Sequence, residues 1–492
     1  MDGIQGRQAG RNPLGLFLAI LFLITVWRLL VLAGSPYNLS FDEAQYWLWS
    51  LAPDWGYYSK PPFVAWSIAL SAQVCGDAEA CVRLPSTFAY ALGSLFVFLA
   101  ARHLFNASIA FWSGLVFLTL PGVAYSSMLV TTDPPLLMFW AVALFATVRA
   151  LDDDRPVLWW ALLGIAIGLG LLAKYAMILF PVSLGLFLAS SPQYRKRIAW
   201  KSAALCAALA LLLYLPNFFW NAANGFVSYL HTKDNANLGG PLFHPAKMGE
   251  FVLSQFAVFG PLLFAALLLF LPGLKRHLQE PRLRLLAFMA LPILLLMTVE
   301  SLLSRANANW AAPAYVAASI LMTAWLAESG RLFLVRLSVV LHVVVASLVY
   351  NYEAVLAMAD VPLTAKTDIA KRLKGWTEVG RDVSALLAAH PASRLMSDDR
   401  KLMASLSYYV RPYPLNAAKW NPSPVIRDTF DLNNRFMGDD ESRVVFITER
   451  ADIAEIAQRF ATAESLGPIQ REIHPGFAIE LHAYLLSGFK GY

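Results

Sequence analysis

Residues 14–34 read LGLFLAILFLITVWRLLVLAG and decide the class of fold, since an apolar run of about 20 residues crosses a bilayer as a helix. The run is too long for a signal-peptide core and ends without a clear cleavage site. Of the 492 residues, 58% are hydrophobic and 15% charged, against roughly a quarter charged in soluble domains. We therefore expect a polytopic α-helical membrane protein, and not a cytosolic enzyme, a disulfide scaffold or a disordered chain.

Ten further apolar runs predict about eleven transmembrane helices in all. They cover roughly residues 88–105, 109–124, 136–151, 157–173, 176–190, 198–220, 251–273, 285–303, 310–327 and 337–355. Loops assigned to the cytoplasm hold more than twice the arginines and lysines of the other loops, which orients the chain by the positive-inside rule. The excess of basic residues behind the net charge of +6 is therefore explained by these loops and their orientation in the membrane. No nucleic-acid partner is expected.

This topology divides the chain into three parts. Residues 1–13 form a cytoplasmic N-terminus, residues 14–356 a transmembrane domain, and residues 357–492 a domain outside the membrane. The first outer loop, residues 35–87, is rich in tryptophan and tyrosine, so we expect short helices along the membrane surface there. The tail alternates helices (364–390, 400–409, 451–460) with strands (394–397, 443–448, 477–485), which predicts a small α/β or α+β domain.

The cysteine pair of the outer loop and Arg28 each allow two interpretations. Cys75 and Cys81 lie close together in the outer loop, where an oxidising compartment favours a disulfide, with a zinc pair as the alternative. Arg28 lies within the first span, and we expect it to snorkel outward rather than bind a substrate.

The outer loop opens with Ser40-Phe41-Asp42-Glu43-Ala44-Gln45-Tyr46-Trp47. Ser40 followed by Glu43 is typical of a capping box at a helix start. That explains Glu43 and leaves Asp42 with only the benefit of a negative charge near a helix N-terminus. A carboxylate where the first span leaves the membrane can instead accept a proton from an incoming hydroxyl as a general base.

Further along the loop, Tyr57-Tyr58-Ser59-Lys60-Pro61-Pro62 holds a lysine on a stiff segment. A fixed ammonium at headgroup depth suits a lipid phosphate. The alternative is a lysine that snorkels among ordinary lipids.

Asp133 begins the segment Asp133-Pro134-Pro135. An Asp N-cap before a proline is a strong helix-start signal, and it would also place a second carboxylate at the face where Asp42 lies. Weaker polar features share that face, each with a solvated loop as its alternative: Lys174, His231, Arg305, Asn307, Asn309 and Trp310.

The chain has no phosphate-binding loop of the ATPase type and no metal-ligating histidine motif. An active face outside the cytoplasm has no nucleotide pool, so a substrate there must arrive attached to a lipid. A transporter or lipid flippase is the rival class, but it should show midplane charges and a repeat with broken helices.

The segments quoted above, with Ala173-Lys174-Tyr175, resemble the membrane-embedded GT-C glycosyltransferases. The likeness covers roughly residues 14–325. It is greatest to the bacterial branch of lipid A aminoarabinose and galacturonic acid transferases, which is related to the dolichyl-phosphate-mannose protein mannosyltransferases. The resemblance implies an inverting transfer from a polyprenyl-monophosphate sugar donor to lipid A, the lipopolysaccharide core or another envelope acceptor. The enzyme would lie in the bacterial inner membrane with its C-terminus in the periplasm, and protein O-mannosylation is the alternative.

The resemblance also implies roles for single residues. Asp42 matches the proposed base and Asp133 the acidic residue beside the donor sugar. Lys60 matches the lysine that holds the polyprenyl phosphate, and Lys174 and Arg305 would assist it. Contacts to the substrates are expected from Glu43, Tyr57, Tyr58, His231, Asn307 and Trp310. No cofactor is certain; a divalent metal stays open, because the aminoarabinose branch commonly has a metal-linked glutamate at the position of Ser59.

Overall fold

The computed structural model describes residues 13–153, 156–236, 242–438 and 443–492, so the predicted cytoplasmic segment 1–13 lies outside it except for Pro13. The chain forms two compact units. The helical unit contains the described residues up to Gly34, Lys60–Val64 and Arg83–Tyr350. The sheet unit contains Ser35–Ser59, Ala65–Val82 and Asn351–Tyr492. The predicted domain boundaries stay predictions.

The helices are, in chain order, α1 (Pro13–Ala33), α2 (Phe41–Ser50), α3 (Phe63–Cys75), α4 (Glu79–Leu104), α5 (Ala107–Thr119), α6 (Pro121–Ser126), α7 (Asp133–Asp152), α8 (Val157–Ala173), α9 (Leu179–Ser190), α10 (Pro192–Arg195), α11 (Trp200–Ala223), α12 (Val227–Ala236), α13 (Pro245–Val258), α14 (Pro261–Phe270), α15 (Leu274–His277), α16 (Pro281–Leu303), α17 (Ala312–Glu328), α18 (Leu332–Tyr350), α19 (Tyr352–Met358), α20 (Trp376–Ala389), α21 (Arg400–Tyr409), α22 (Thr429–Asn433) and α23 (Ala454–Ala457). Short 3₁₀ helices cover Tyr175–Ile178, Leu271–Gly273, Ala308–Ala311 and Lys371–Leu373.

Seven helices of the described chain are long and apolar enough to cross a membrane, judged by length and composition. They are α1, α4, α7, α11, α16, α18, and α17 with the 3₁₀ turn before it. Shorter apolar helices include α3, α5 and α8. The predicted polytopic helical fold is therefore confirmed, whereas the number of about eleven spans stays a prediction.

The run predicted as one span over residues 251–273 is broken. Helix α13 and the segment Pro261–His277 meet at an angle of 119°, so this run forms a bent pair of helices. Gly260 lies at the break with φ of 90°, a conformation that favours glycine. A Cβ there would lie 2.0 Å from Nε2 of His342, so the close packing of α18 also requires glycine.

Helix α7 lies in the core of the helical unit. Most of its side chains are buried, and Trp140 at its centre is fully enclosed. Helices α8 and α17 pack against it. Because α7 is held on several sides, its first residue, Asp133, has a fixed position.

Arg28 does not snorkel as predicted. Its side chain is 2% exposed, and Nη2 donates a hydrogen bond of 2.6 Å to the carbonyl oxygen of Leu118. Leu118 lies in the last turn of α5, where carbonyl groups lack partners within the helix and attract cations. The helix end therefore gives the guanidinium a partner inside the unit.

A mixed five-stranded sheet organises the sheet unit. Its strands are β1 (Ser393–Ser397), β2 (Ala418–Lys419), β3 (Arg443–Thr448), β4 (Phe460–His474) and β5 (Phe477–Phe489). The order is β2-β1-β3-β5-β4. Strand β1 pairs in parallel with β2 and β3, while β5 pairs antiparallel with β3 and β4.

The tail was predicted only in part. The small sheet domain and the strands near 394–397 and 443–448 are confirmed, but the helices predicted at 364–390 and 451–460 shrink to α20 and α23. Strand β4 was missed, because it is largely exposed and carries a β-bulge beside Gly467, so its apolar residues do not alternate. Its hairpin to β5 turns at Pro475-Gly476, where Gly476 has φ of 79°.

The outer-loop segments form α2 and α3, so the predicted short helices are confirmed; their place along a membrane surface stays a prediction. Cys75 and Cys81 are joined in a disulfide, the first of the two interpretations. Cys206 is a buried free thiol in α11.

Candidate functional site

Asp133 is a buried carboxylate at the start of α7, with 7% of its surface exposed. Nζ of Lys174 lies 2.6 Å from Oδ1, and Nδ2 of Asn309 donates a hydrogen bond of 2.6 Å to Oδ2. Both oxygens are therefore held by side chains from distant parts of the helical unit. A carboxylate fixed in this way can orient a hydroxyl group or stabilise a positive charge beside it.

The interpretation of Asp133 as an N-cap is wrong. Thr132 holds the N-cap position and makes no side-chain capping bond, while Pro134 and Asp133 occupy the first two helical positions. The carboxylate bonds Lys174 and Asn309 instead of free backbone amides. Its negative charge still lies at the positive end of the helix dipole.

Lys174 lies at the junction between α8 and a 3₁₀ helix, where its backbone is extended. The next residue, Tyr175, donates a hydrogen bond to Asn217 and accepts one from Asn221, both on α11. This buried polar contact fixes the backbone from which the Lys174 side chain reaches Asp133. Lys174 is thus a positioned cation and not a solvated loop residue.

A cavity of about 380 Å³ opens beside Asp133 in the helical unit. Its lining is aromatic and aliphatic with a few polar groups: Tyr90, Phe117, Tyr125, Thr131, Asn309 and Tyr315 are among the residues that form it. Mostly apolar walls with a few converging polar groups are typical of a small-molecule site. The Asp133 carboxylate is the charged group of this cavity.

Asp42 lies in the first turn of α2, within the sheet unit. The predicted capping box is confirmed, since Ser40 and Glu43 exchange side-chain to backbone hydrogen bonds. Glu43 is 1% exposed and has this capping role; its predicted substrate contact stays a prediction. The side chain of Asp42, by contrast, is 48% exposed.

Arg400, the first residue of α21, positions Asp42. Its Nη1 donates hydrogen bonds of 3.1 Å to Oδ1 of Asp42 and 2.9 Å to Oε1 of Gln45. Only one carboxylate oxygen is engaged by Arg400, and the described residues offer no hydrogen bond to Oδ2. Asp42 therefore presents one oriented oxygen that can accept a proton.

The tyrosines of the outer loop have different surroundings. Tyr57 is buried, stacks on Trp49 at 4.5 Å between ring centres, and donates to backbone carbonyls of Trp49 and Ala52. Burial raises the pKa of Tyr57 to about 12, so the hydroxyl stays protonated and holds the loop. Tyr58 and Lys60 are half-buried and each makes contacts of its own.

Of the weaker candidates, Lys174 and Asn309 contact Asp133. His231 lies within α12, so residues 231–236 are helical, which rules out the alternative of a solvated loop for them; Asn237 is outside the described residues. Arg305 and Asn307 are exposed on the segment before the 3₁₀ turn, and Trp310 lies within that turn. Their predicted roles stay predictions.

Sequence reasoning gave Asn309 no specific role and missed Arg400. Asn309 lies in the same polar stretch as Asn307, and the 3₁₀ turn Ala308–Ala311 decides which of the two reaches Asp133. Arg400 carries no local signal, because its partner Asp42 lies 358 positions away.

A divalent metal was left open, and the donor set does not support one. Among the described ranges no group of three or more His, Cys, Asp or Glu side chains lies close enough to hold an ion. Ser59, at the position of the branch's glutamate, is a buried hydroxyl. We therefore derive no step through a metal.

The chain is similar in sequence to several known glycosyltransferases. Residues 59–220 match the dolichyl-phosphate-mannose-protein mannosyltransferase family. The chain is 30% identical to the lipid A galacturonosyltransferase RgtD of Rhizobium johnstonii over 88% of this chain and 91% of that protein. It is 28% identical to an undecaprenyl phosphate-α-4-amino-4-deoxy-L-arabinose arabinosyl transferase of Pseudomonas fluorescens over 59% of this chain and 52% of that protein.

Among solved structures, ArnT from Cupriavidus metallidurans bound to undecaprenyl phosphate matches 96% of this chain and 97% of its own. The TM-score is 0.64 at 16% sequence identity, so the likeness is one of fold. It agrees with the fold expected from the sequence.

Proposed function

Because the chain belongs to the GT-C glycosyltransferases related to the protein mannosyltransferases, we propose that it transfers a sugar from a polyprenyl monophosphate to lipid A or the lipopolysaccharide core. RgtD, similar over nearly its whole length, makes a galacturonosyl residue on lipid A the first combination to test. Transfer would take place on the periplasmic face of the inner membrane. The observation that carries the proposal is Asp133, held by Lys174 and Asn309 beside a cavity.

The donor sugar would occupy the cavity beside Asp133. A volume of about 380 Å³ accommodates a monosaccharide, since small-molecule sites begin at about 300 Å³. Tyr90, Tyr125 and Tyr315 in the walls offer aromatic surface to a sugar ring. Asp133 and Asn309 would bond its hydroxyl groups.

The donor's lipid tail would enter a second, apolar cavity of about 650 Å³ between α13, α14 and α16. Gln255 lines this cavity, accepts a hydrogen bond of 2.6 Å from Tyr315 and donates one of 3.3 Å to the carbonyl of Ala308. Tyr315 and Ala308 line the sugar cavity, so the two cavities share a wall. The apolar lining suits the first isoprene units of the tail.

The donor phosphate would meet the lysines. An ammonium group carries three N–H donors, and Lys174 uses one on Asp133, which leaves others for phosphate oxygens. Lys60, on the stiff segment before Pro61-Pro62, would supply the second cation. Their charges would stabilise the phosphate as it leaves.

In the proposed reaction, an acceptor oxygen attacks the anomeric carbon while the bond from that carbon to the phosphate oxygen breaks. Asp42 accepts the proton of the acceptor hydroxyl, and polyprenyl phosphate departs with the bonding electrons. Attack opposite the leaving group inverts the anomeric centre. Arg400 keeps the basic oxygen of Asp42 directed during this step.

The test is mass spectrometry of lipid A and core glycans from a strain that lacks the gene and is complemented with variants. Wild type should restore the added sugar, and Asp42→Asn and Asp133→Asn should not, since loss of a base costs about 10²–10⁴-fold in rate. Asp360→Asn, which removes an exposed carboxylate, is the matched control. Unchanged lipid A with loss of hexose from secreted proteins would overturn the proposal and favour protein O-mannosylation.

A further inference from the structure

The sheet unit contains a polar cavity of about 730 Å³ that has no part in the mechanism above. It lies at the carboxyl ends of three parallel strands. Asp398 follows β1, Trp420 and Asn421 follow β2, and Arg450 comes two residues after β3. All four residues line the cavity.

The order of these strands makes their carboxyl edge a natural binding place. From β1 the chain passes to β2 on one side, whereas from the neighbouring strand β3 it passes to β4 on the other side. Two adjacent parallel strands whose connections leave in opposite directions open a crevice between their carboxyl ends, where open sheets bind ligands. Arg450 and Asp398 lie at this point, with Nε 2.9 Å from Oδ2.

Buried charge lines the floor of the cavity. Lys419 pairs with Asp428, and both side chains are more than nine-tenths buried. The side chain of Asp431 is 2% exposed, and its Oδ1, 4.0 Å from Nζ of Lys419, has no hydrogen-bond partner among the described residues. A buried carboxylate oxygen without a partner is costly, so it is suited to accept a hydrogen bond from a ligand in the cavity.

Two exposed arginines also line the cavity. Arg427 and Arg459 line the cavity with exposed side chains, and within the part of the chain that the structure describes neither guanidinium has a hydrogen bond or ion pair. Free guanidinium groups above a polar cavity favour an anionic ligand.

The combination of groups identifies the chemistry of that ligand. Carboxylates accept hydrogen bonds from hydroxyl groups, the amide of Asn421 can donate or accept, and the guanidinium groups bind carboxylate or phosphate. A polyhydroxylated molecule with an anionic substituent uses all three. An apolar tail finds little complementary surface among these side chains.

We propose that this cavity binds an anionic saccharide, and that in the full reaction this saccharide is part of the acceptor glycan. The part that this saccharide plays in the acceptor glycan rests on the proposed function, whereas the binding of an anionic saccharide does not. The cavity would hold a sugar unit remote from the bond being formed and so select the acceptor by its charge.

The experiment uses the full-length protein in lipid nanodiscs, with lipid-free core oligosaccharide released from lipopolysaccharide as the probe in a calorimetric titration. Wild type should bind it, and Arg427→Ala/Arg459→Ala should bind at least about tenfold more weakly, since each lost charge-assisted bond is worth a factor of that order. The control, Arg372→Ala/Arg443→Ala, removes two exposed arginines outside the cavity and should bind as wild type does. Thermal unfolding of all variants verifies that they fold.

Kinetics separate this site from the proposed catalytic groups. With lipid A carrying its core as acceptor, the Arg427/Arg459 variant should raise the KM for the acceptor and leave kcat and the KM for the donor unchanged. Asp133→Asn should lose transfer and still bind the oligosaccharide.

Three results would contradict the inference: no binding by wild type, equal binding by the double variant, or equal affinity for the uncharged sugar maltose. Binding that depends on Arg427 and Arg459 in a protein that transfers nothing to lipid A would support the saccharide site. That result would overturn the proposed function alone.

Discussion

Arg400 donates a hydrogen bond of 3.1 Å to Asp42 across 358 positions of sequence. The guanidinium carbon also lies 5.0 Å from the ring centre of Phe41, the residue before Asp42. One end of α21 thus fixes the first turn of α2 within the sheet unit. If Asp42 is the base, Arg400 is a positioning residue whose effect on the reaction passes through that carboxylate.

Arg400→Ala should lower kcat by about tenfold or more, because a base misplaced by 1 Å can cost about 10²-fold. The KM for the donor should not change, and Arg400→Lys should restore part of the rate. Lys401→Ala is the control, since Lys401 also lies over the Phe41 ring at 5.6 Å but makes no hydrogen bond to Asp42. Equal losses in the two alanine variants would refute the positioning role.

The contrast between Ser40–Glu43 and Asp42–Arg400 explains what the sequence can predict. The capping box joins residues three apart, so the spacing alone predicts it. The contact to Arg400 depends on how α2 and α21 pack, and no local pattern encodes that. Asp133 is intermediate: the sequence places a carboxylate at a helix start, but only the packing of α7 shows which cation and which amide hold it.

Asn309 and Asn307 provide a direct comparison of structure with sequence. Both asparagines are exposed, but Asn309 bonds Asp133, whereas Asn307 precedes the 3₁₀ turn. Asn309→Ala should therefore reduce transfer by about tenfold, as loss of a hydrogen bond to a charged group costs about 1.5–3 kcal/mol. Asn307→Ala should lose less, and the measurement is the initial rate with saturating donor. The reverse order would return the substrate contact to Asn307.

Asp368 is the centre of a buried ionic network in the sheet unit. Its side chain is fully enclosed and receives hydrogen bonds of 2.6 Å from Tyr352 and 2.7 Å from Lys374, with Nε2 of His474 also at 2.7 Å. Burial alone would raise the pKa of Asp368, but these hydrogen bonds outweigh it and hold the pKa well below its ordinary value. The folded state therefore stabilises the ionised form of the Asp368 carboxyl group.

This depressed pKa predicts loss of stability in acid. The stabilisation is fully present above the unfolded pKa of an aspartate, about 3.9, and declines as the pH falls through the lower folded value. Asp368→Asn should reduce the free energy of unfolding by about 1–3 kcal/mol at pH 7. Thermal unfolding of the two proteins, compared from pH 7 to pH 3, should show the difference shrink below pH 4. A difference that stays constant over that range would refute the role of the carboxylate charge.

Strand β4 shows why part of the sheet could not be predicted from the sequence. A strand with a buried face alternates apolar and polar residues, but β4 has few buried side chains between Phe460 and His474. Its position is set by pairing with β5, whose partner residues run from Phe489 to Phe477. Backbone pairing places few requirements on side-chain type, so the sequence pattern does not predict this strand.

Gly260 lies in a sterically confined position at the break between α13 and α14. A side chain there would adopt φ of 90° and place Cβ 2.0 Å from Nε2 of His342, so α14 or α18 would have to move. Gly260→Ala should therefore destabilise the protein by about 1–3 kcal/mol from overpacking, with further strain from the backbone, and lower its Tm in detergent. Gly249→Ala is the matched control within α13, because no atom lies within 4 Å of its added Cβ and alanine favours a helix. It should keep or raise the Tm. If both variants unfolded at the wild-type temperature, the chain could pass from α13 to α14 without a left-handed residue, and the bend would depend on Pro261 alone.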